Sequence, residues 1–163
     1  MKSFNHFGVY GICVNDGKLL VIRKGRGPYT GRFDLPGGRL EENESLLGGL
    51  VREFMEETGL TVTVEHNLGT LDWFVRYQED TYTHMHHIAA LYTVGIASDA
   101  VASGIKEFAE QDSLGTEWVE LPAITLNSAS PVTVAAAAWV REGCLPTEVG
   151  FFDDWEVKSL PST

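Results

Sequence analysis

The run GRLEENESLLGGLVREFMEETGL, residues 38–60, decides how the rest of the chain is read. Leu46, Leu47, Leu50, Val51, Phe54 and Met55 fall on one broad arc at the helical period. Ser45 is a good N-cap and Gly59 a good stop, so the spacing predicts a helix over 46–58. Beside the apolar arc stand three carboxylates. At about 100° per residue, Glu53 and Glu57 are about 40° apart, with Glu56 about 60° to the other side of Glu53. Neighbouring like charges destabilise a helix by about 0.2–0.5 kcal/mol per pair. Either the face is solvated and screened, or it looks into a cleft and binds hard divalent ions, which want oxygen ligands. Pro36-Gly37-Gly38 just upstream favours the second, because it brings bare backbone to the helix start. Arg52 is placed to pin a carboxylate, with Glu44 the candidate, through a bidentate pair. Gly48 and Gly49 each lower helix propensity by roughly 1 kcal/mol relative to Ala. The pair either permits close packing or leaves the first turn weak.

Upstream, Phe4 to Val14 is apolar and strand-like, Asn15-Asp16-Gly17 is a turn, and Lys18 to Arg23 returns as a second strand. Lys24 to Gly31 is a loop, and Phe33 to Leu35 a short strand. Downstream, Leu60 to Val64, Leu68 to Tyr77 and Met85 to Ile96 read as strands, the last two joined by the polar stretch Gln78 to Thr83. Asp99 to Asp112 is irregular or briefly helical, and Glu117 to Leu121 a short edge strand. Pro131 to Glu142 is a second helix, with Pro131 in its first turn and Gly143 at its end. A mixed sheet with helices on both faces satisfies this order.

The length, 163 residues, fits one domain spanning 1–163, with 146–163 as a C-terminal appendix. Twelve Lys and Arg against 23 Asp and Glu give a formal charge of −11. Such a chain does not grip nucleic acid by bulk attraction, and it needs divalent cations or a local basic patch to hold a polyphosphate. Cys13 and Cys144 are too few for a disulfide framework and too far apart for a zinc motif. With no signal pattern and no apolar run long enough for a bilayer, the expected setting is cytoplasmic, without membrane.

The segment resembles the Nudix box. Gly38, Glu44, Arg52, Glu53, Phe54, Glu56, Glu57, Gly59 and Leu60 meet every fixed position of that motif, and Phe33-Asp34-Leu35-Pro36-Gly37-Gly38 is similar to its usual entry, with Phe33 where Trp is common. Glu117-Trp118-Val119 is similar to the family's late strand. The resemblance implies a Nudix-type α/β/α sandwich with a mixed β-sheet. It also implies hydrolysis of a nucleoside diphosphate derivative, by attack of water on phosphorus with Mg²⁺ or Mn²⁺ bound. It makes Glu53, Glu56 and Glu57 metal ligands, with Gly37 or Gly38 adding a backbone oxygen. Glu53 becomes the first choice to activate water, and Arg52 with Glu44 orients the carboxylates. An extra acidic ligand from a late loop falls on Glu107 or Glu110, with Asp112 behind them.

Outside the box, Arg23, Lys24, Arg26 and Arg32 concentrate a third of the Lys and Arg within ten residues. That cluster suits distal phosphates, with Arg23 the best single candidate and Arg32 beside it at the catalytic turn; a solvated loop is the rival reading. His84 and His86 share a strand face, but nothing nearby completes a zinc site, so structural roles are expected of them and of His87. Tyr10, Tyr29, Phe33 and Trp73 could stack on a base, although packing suits each. The expected ligand is a small nucleotide. A triphosphate is favoured, because only about 37 residues precede the box and the basic cluster adjoins it. ADP-ribose or another nucleotide sugar is the alternative, and a non-catalytic binding or regulatory protein a remote one. The tail aromatics Phe151, Phe152 and Trp155 either cap the domain or help form a homodimer, which is preferred.

Overall fold

Alternation along the central strands builds two cores at once, one on each face of the sheets. In β1 (Ser3–Ile12) Val9 faces one core while Tyr10 and Ile12 face the other. In β3 (Lys18–Lys24) Leu20 opposes Leu19 and Val21, and in β7 (Tyr82–Ile96) Ala90, Tyr92 and Val94 oppose Ala89 and Leu91. Helix α1 (Leu46–Thr58) closes the first core with Leu50 and Phe54. Helix α2 (Pro131–Glu142) closes the second with Val132, Ala135 and Ala136. The result is an α/β/α sandwich. This computed structural model describes residues 1–97 and 113–160.

The larger sheet has the order β5-β1-β7-β6-β9, where β5 is Gly37–Gly38, β6 is Val62–Glu79 and β9 is Gly150–Phe152. Its centre is the parallel pair β1 and β7, in register from Ser3 opposite His84 to Ile12 opposite Thr93. The smaller sheet joins β2 (Val14–Asn15), β3 and β4 (Phe33–Asp34), with β8 (Ser113–Glu120) antiparallel to β3.

Both helices have the bounds that their caps predict. The Ser45 side chain accepts from the Gly48 amide, and Gly59 turns left-handed at φ 69°. The Ser130 side chain accepts from the Thr133 amide, and Gly143 ends α2 at φ 75°. The close-packing reading holds at Gly49, which is buried: a Cβ there would stand 2.4 Å from Leu40 and 2.9 Å from the Glu44 carboxylate.

Two strand readings are corrected, and the tail takes one of its two expected places. Leu60–Val64 and Leu68–Tyr77 are parts of one strand, β6, whose register against β7 shifts between Val64 and His66 and again between Asn67 and Gly69. Those bulges put polar residues where alternation fails, which imitates a loop. The late strand is longer than Glu117–Leu121, running Ser113–Glu120 along β3. The tail from residue 146 packs back on its own domain. β9 pairs parallel to β6, Trp155 is buried, and Phe151, still exposed, stacks on Phe74 at 5.2 Å. The stretch 98–112, with Glu107, Glu110 and Asp112, lies outside the described residues. Among the described residues, no helix is long and apolar enough to cross a membrane.

Candidate active site

The turn at Gly37–Gly38 is held against the start of the sheet and against α1 together. Gly37 has φ 142°, and a Cβ on it would meet the Val9 carbonyl oxygen at 2.1 Å, so glycine alone fits. Its amide donates to Glu57 Oε2 at 2.9 Å. A Cβ on Gly38 would come within 2.9 Å of the Glu53 carboxylate. The two glycines thus seat the backbone directly on two of the three helix carboxylates.

Arg52 organises the others. Its Nε donates to Glu44 Oε1 at 2.7 Å and its Nη2 to Glu44 Oε2 at 2.9 Å, the bidentate pair expected. Nη1 reaches Glu53 at 3.1 Å and Glu56 at 3.2 Å, and Nη2 also donates to the Arg39 carbonyl at 3.0 Å. The Arg52 bonds hold the Glu44 carboxyl down at about 2, and Glu44 in turn raises the guanidinium. Glu53 is raised by burial, against the pull of Arg52. Glu57 is pushed up to about 8 by burial, although Lys24 and the Gly37 amide oppose the shift. A buried carboxylate lacking a full counter-charge behaves in this way.

Glu53, Glu56 and Glu57 line one open cleft of about 730 Å³. Among the described residues, however, no group of three His, Cys, Asp or Glu side chains is gathered to hold a metal ion. Arg52 draws Glu53 and Glu56 to itself, while Glu57 turns to Gly37. The donor set still suits a hard divalent cation. All its donors are oxygens, and the raised Glu57 lacks the positive charge that such an ion brings.

The cations lining the cleft are Lys24, Arg26 and Arg39. Arg23 and Arg32, the substrate-binding candidates, do not line it. Arg23 pairs with Glu117 at 3.3 Å and lies over Phe33. Arg32 is buried, donates to the Glu156 carbonyl at 2.8 Å and packs on the Trp155 ring. Alternation along β3 and the return of the tail decide this, and neither is visible in local charge counting. His84 bonds to Asp153, just past β9, and His86 to Asp72 on β6, while His87 is buried in the interior.

Reasoning from sequence missed Asp34 and His6, which also line the cleft. Asp34 Oδ1 accepts from the Leu35 amide and from Ser130 and Thr133, tying β4 to the N-terminus of α2; burial raises its pKa. Its place between Phe33 and the Pro-Gly-Gly turn was the available signal. His6 carried none, because only the pairing of β1 with β5 brings it to Arg39.

The sequence profile of the NUDIX domain matches residues 3–140. Over 61 residues the chain is 44% identical to an ADP-ribose pyrophosphatase of Methanocaldococcus jannaschii, covering 37% of this chain and 36% of that one. It is 27% identical over 116 residues to an oxidized purine nucleoside triphosphate hydrolase of Danio rerio, covering 71% and 67%. Among solved structures, a MutT protein from Methanosarcina mazei superposes with a TM-score of 0.65 at 23% identity, covering 88% of this chain and 98% of that one. The chain spans about a third to a half of the length of the first curated relatives it matches.

Proposed function

The chain belongs to the NUDIX family, and on that premise we propose that it hydrolyses the diphosphate bond of a nucleoside triphosphate or a related nucleoside diphosphate derivative. The observation that carries this reading is the cleft itself. One wall presents Glu53, Glu56 and Glu57, while Lys24, Arg26 and Arg39 offer the positive charge a polyphosphate needs in a chain at −11. Mg²⁺, with Mn²⁺ as substitute, would be held by Glu53, Glu56 and Glu57 with the Gly38 backbone, and would supply Lewis-acid polarisation and charge neutralisation. Glu53 takes the proton of the attacking water. It lines the cleft, and its raised pKa suits a base better than that of a fully solvated carboxylate. Arg52, locked by Glu44, positions Glu53 and Glu56. Glu53→Gln should lower kcat by roughly 10²-fold or more with the fold intact, in line with general-base contributions. An unchanged kcat at saturating Mg²⁺ would move the base elsewhere.

A triphosphate is the preferred substrate. The cleft-lining residues run from Phe4 to Met85, a longer span than the 61-residue match to the ADP-ribose enzyme. The 116-residue match to the triphosphate hydrolase is long enough to include them. That short match supports ADP-ribose as the second reading. Comparing kcat/KM for dNTPs, 8-oxo-dGTP and ADP-ribose decides, and a clear preference for ADP-ribose would reverse the order. A homodimer is proposed on the exposed Phe151 alone, since Phe152 and Trp155 are covered within the chain. Light scattering at micromolar concentration checks it, a monomer ending the idea.

A further inference from the structure

Beneath the cleft runs a line of five side chains, of which the proposed chemistry uses only Arg39. Arg39 Nε donates to His6 Nδ1 at 3.0 Å. His6 Nε2 lies 3.4 Å from the Tyr10 hydroxyl, which lies 2.9 Å from His87 Nε2. His87 Nδ1 then lies 2.8 Å from the Tyr29 hydroxyl. Tyr10, Tyr29 and His87 are all buried, and all but His87 line the cleft. Glycine at position 8 makes room for the line, because a Cβ there would stand 2.7 Å from the Tyr10 oxygen.

The protons in this line are not free to choose their direction. A guanidinium has no acceptor, so His6 Nδ1 must accept. Both imidazoles are held neutral, His6 lowered to about 4 by burial and by Arg39, and His87 lowered by complete burial. The one proton of His6 therefore sits on Nε2 and points at Tyr10. The Tyr10 oxygen already has a ring nitrogen on each side, at 3.4 and 2.9 Å, and lies against Gly8, so a proton not given to His87 Nε2 has nowhere to go there; the Tyr29 oxygen, with one partner, is the open end of the line, and Tyr10 therefore donates to His87 Nε2. The one proton of His87 then sits on Nδ1 and points at Tyr29. Tyr29 accepts it, and its own hydroxyl proton is left over. Among the described residues, the Tyr29 oxygen has no second partner.

We infer that Arg39, His6, Tyr10, His87 and Tyr29 form a hydrogen-bond relay of fixed polarity that presents the Tyr29 hydroxyl to the cleft as a donor to an acceptor atom of the bound nucleotide. Tyr29 is then a substrate-binding residue, with Tyr10 and His87 its positioning residues. The substrate class follows the hydrolase reading above, but the polarity of the relay does not depend on it.

Two measurements test this. Long-range ¹H–¹⁵N correlation at pH 7 should find His6 protonated on Nε2 alone and His87 on Nδ1 alone. A His87 proton on Nε2, or a charged ring at either position, overturns the relay. Binding of α,β-methylene analogues of dGTP and ADP-ribose should weaken roughly three- to tenfold in Tyr29→Phe, the loss of one neutral hydrogen bond. The same substitution should raise KM for hydrolysed nucleotides and leave kcat unchanged. In Tyr10→Phe the His87 signals should show both tautomers, with binding weakened although Tyr29 is intact. Unchanged binding in Tyr29→Phe, in a protein whose spectrum is otherwise native, overturns the role of Tyr29. Unchanged His87 signals in Tyr10→Phe overturn that of Tyr10. Analogue binding without turnover in the wild type would remove the hydrolase reading and keep the relay. No binding of either analogue would remove the substrate role of Tyr29.

Discussion

His6 is lowered to about 4 because burial and the neighbouring Arg39 and Lys24 all disfavour its charged form. In the unfolded chain its pKa returns to about 6.5. Between these two values the unfolded state binds more protons, so stability rises with pH through the window. This contribution is complete above 6.5 and is lost as pH falls toward 4. The urea midpoint of the wild type should therefore fall more steeply from pH 6.5 to 4.5 than that of His6→Gln. The difference should be on the order of 1–3 kcal/mol, discounted because the ring is partly exposed. Glu44, down at about 2, stays ionised throughout the window, and Glu57 contributes equally to both proteins. Parallel curves would refute the assignment. At this scale the sequence is legible only where partners are close along the chain. Glu44, Arg52, Glu53, Glu56 and Glu57 lie within one helix and its approach, so helical spacing places them together. Lys24, Asp34, Arg39 and Tyr29 meet only after β1 pairs with β5 and β7 and β3 with β4, and no spacing rule records that.

Between elements, one of the tightest joints is where α1 crosses β1. A Cβ on Gly11 would stand 2.3 Å from the ring of Phe54, which is fully buried and flanked in sequence by Glu53 and Met55. That ring has nowhere to retreat, because Leu50, Val62 and Val94 pack around it in the same core. Gly11→Ala should therefore push α1 off the sheet, destabilising the protein by roughly 1–3 kcal/mol. Because Glu53 and Glu57 ride on the same helix, kcat should fall as well, even below the melting range. Calorimetry with kinetics on the same sample checks this; a drop in melting temperature with native kcat would show that the carboxylates tolerate the shift. The element scale was also the best read from sequence. Caps are local, so Ser45, Gly59, Ser130 and Gly143 set both helices to the residue. The error at β6 has the opposite cause. A bulge is defined by the partner strand, so His66 and Asn67 look like a loop until β7 is beside them.

Over the whole molecule, the acidic excess and the cleft carboxylates set a balance that a divalent cation shifts. At pH 8.5 Glu57 has passed its raised pKa of about 8, and its ionisation inside the fold works against stability. Arg52 cannot compensate, since its donors reach Glu44, Glu53, Glu56 and the Arg39 carbonyl instead. A cation that binds the folded protein alone stabilises it by about 1.4–2.7 kcal/mol at 10–100 times its Kd. Mg²⁺ should therefore raise the melting temperature by roughly 3–8 °C, and EDTA should reverse the rise. General screening of a charge of −11 would also raise it, so NaCl at matched ionic strength is the control. Glu57→Gln separates the two effects by sign. It keeps an oxygen for the Gly37 amide and removes the buried charge, so the metal-free variant should melt above the metal-free wild type. The same change removes a ligand, so the Mg²⁺-dependent rise should shrink to the NaCl value. A variant less stable without metal, or one keeping the full Mg²⁺ rise, would take Glu57 out of the proposed metal site.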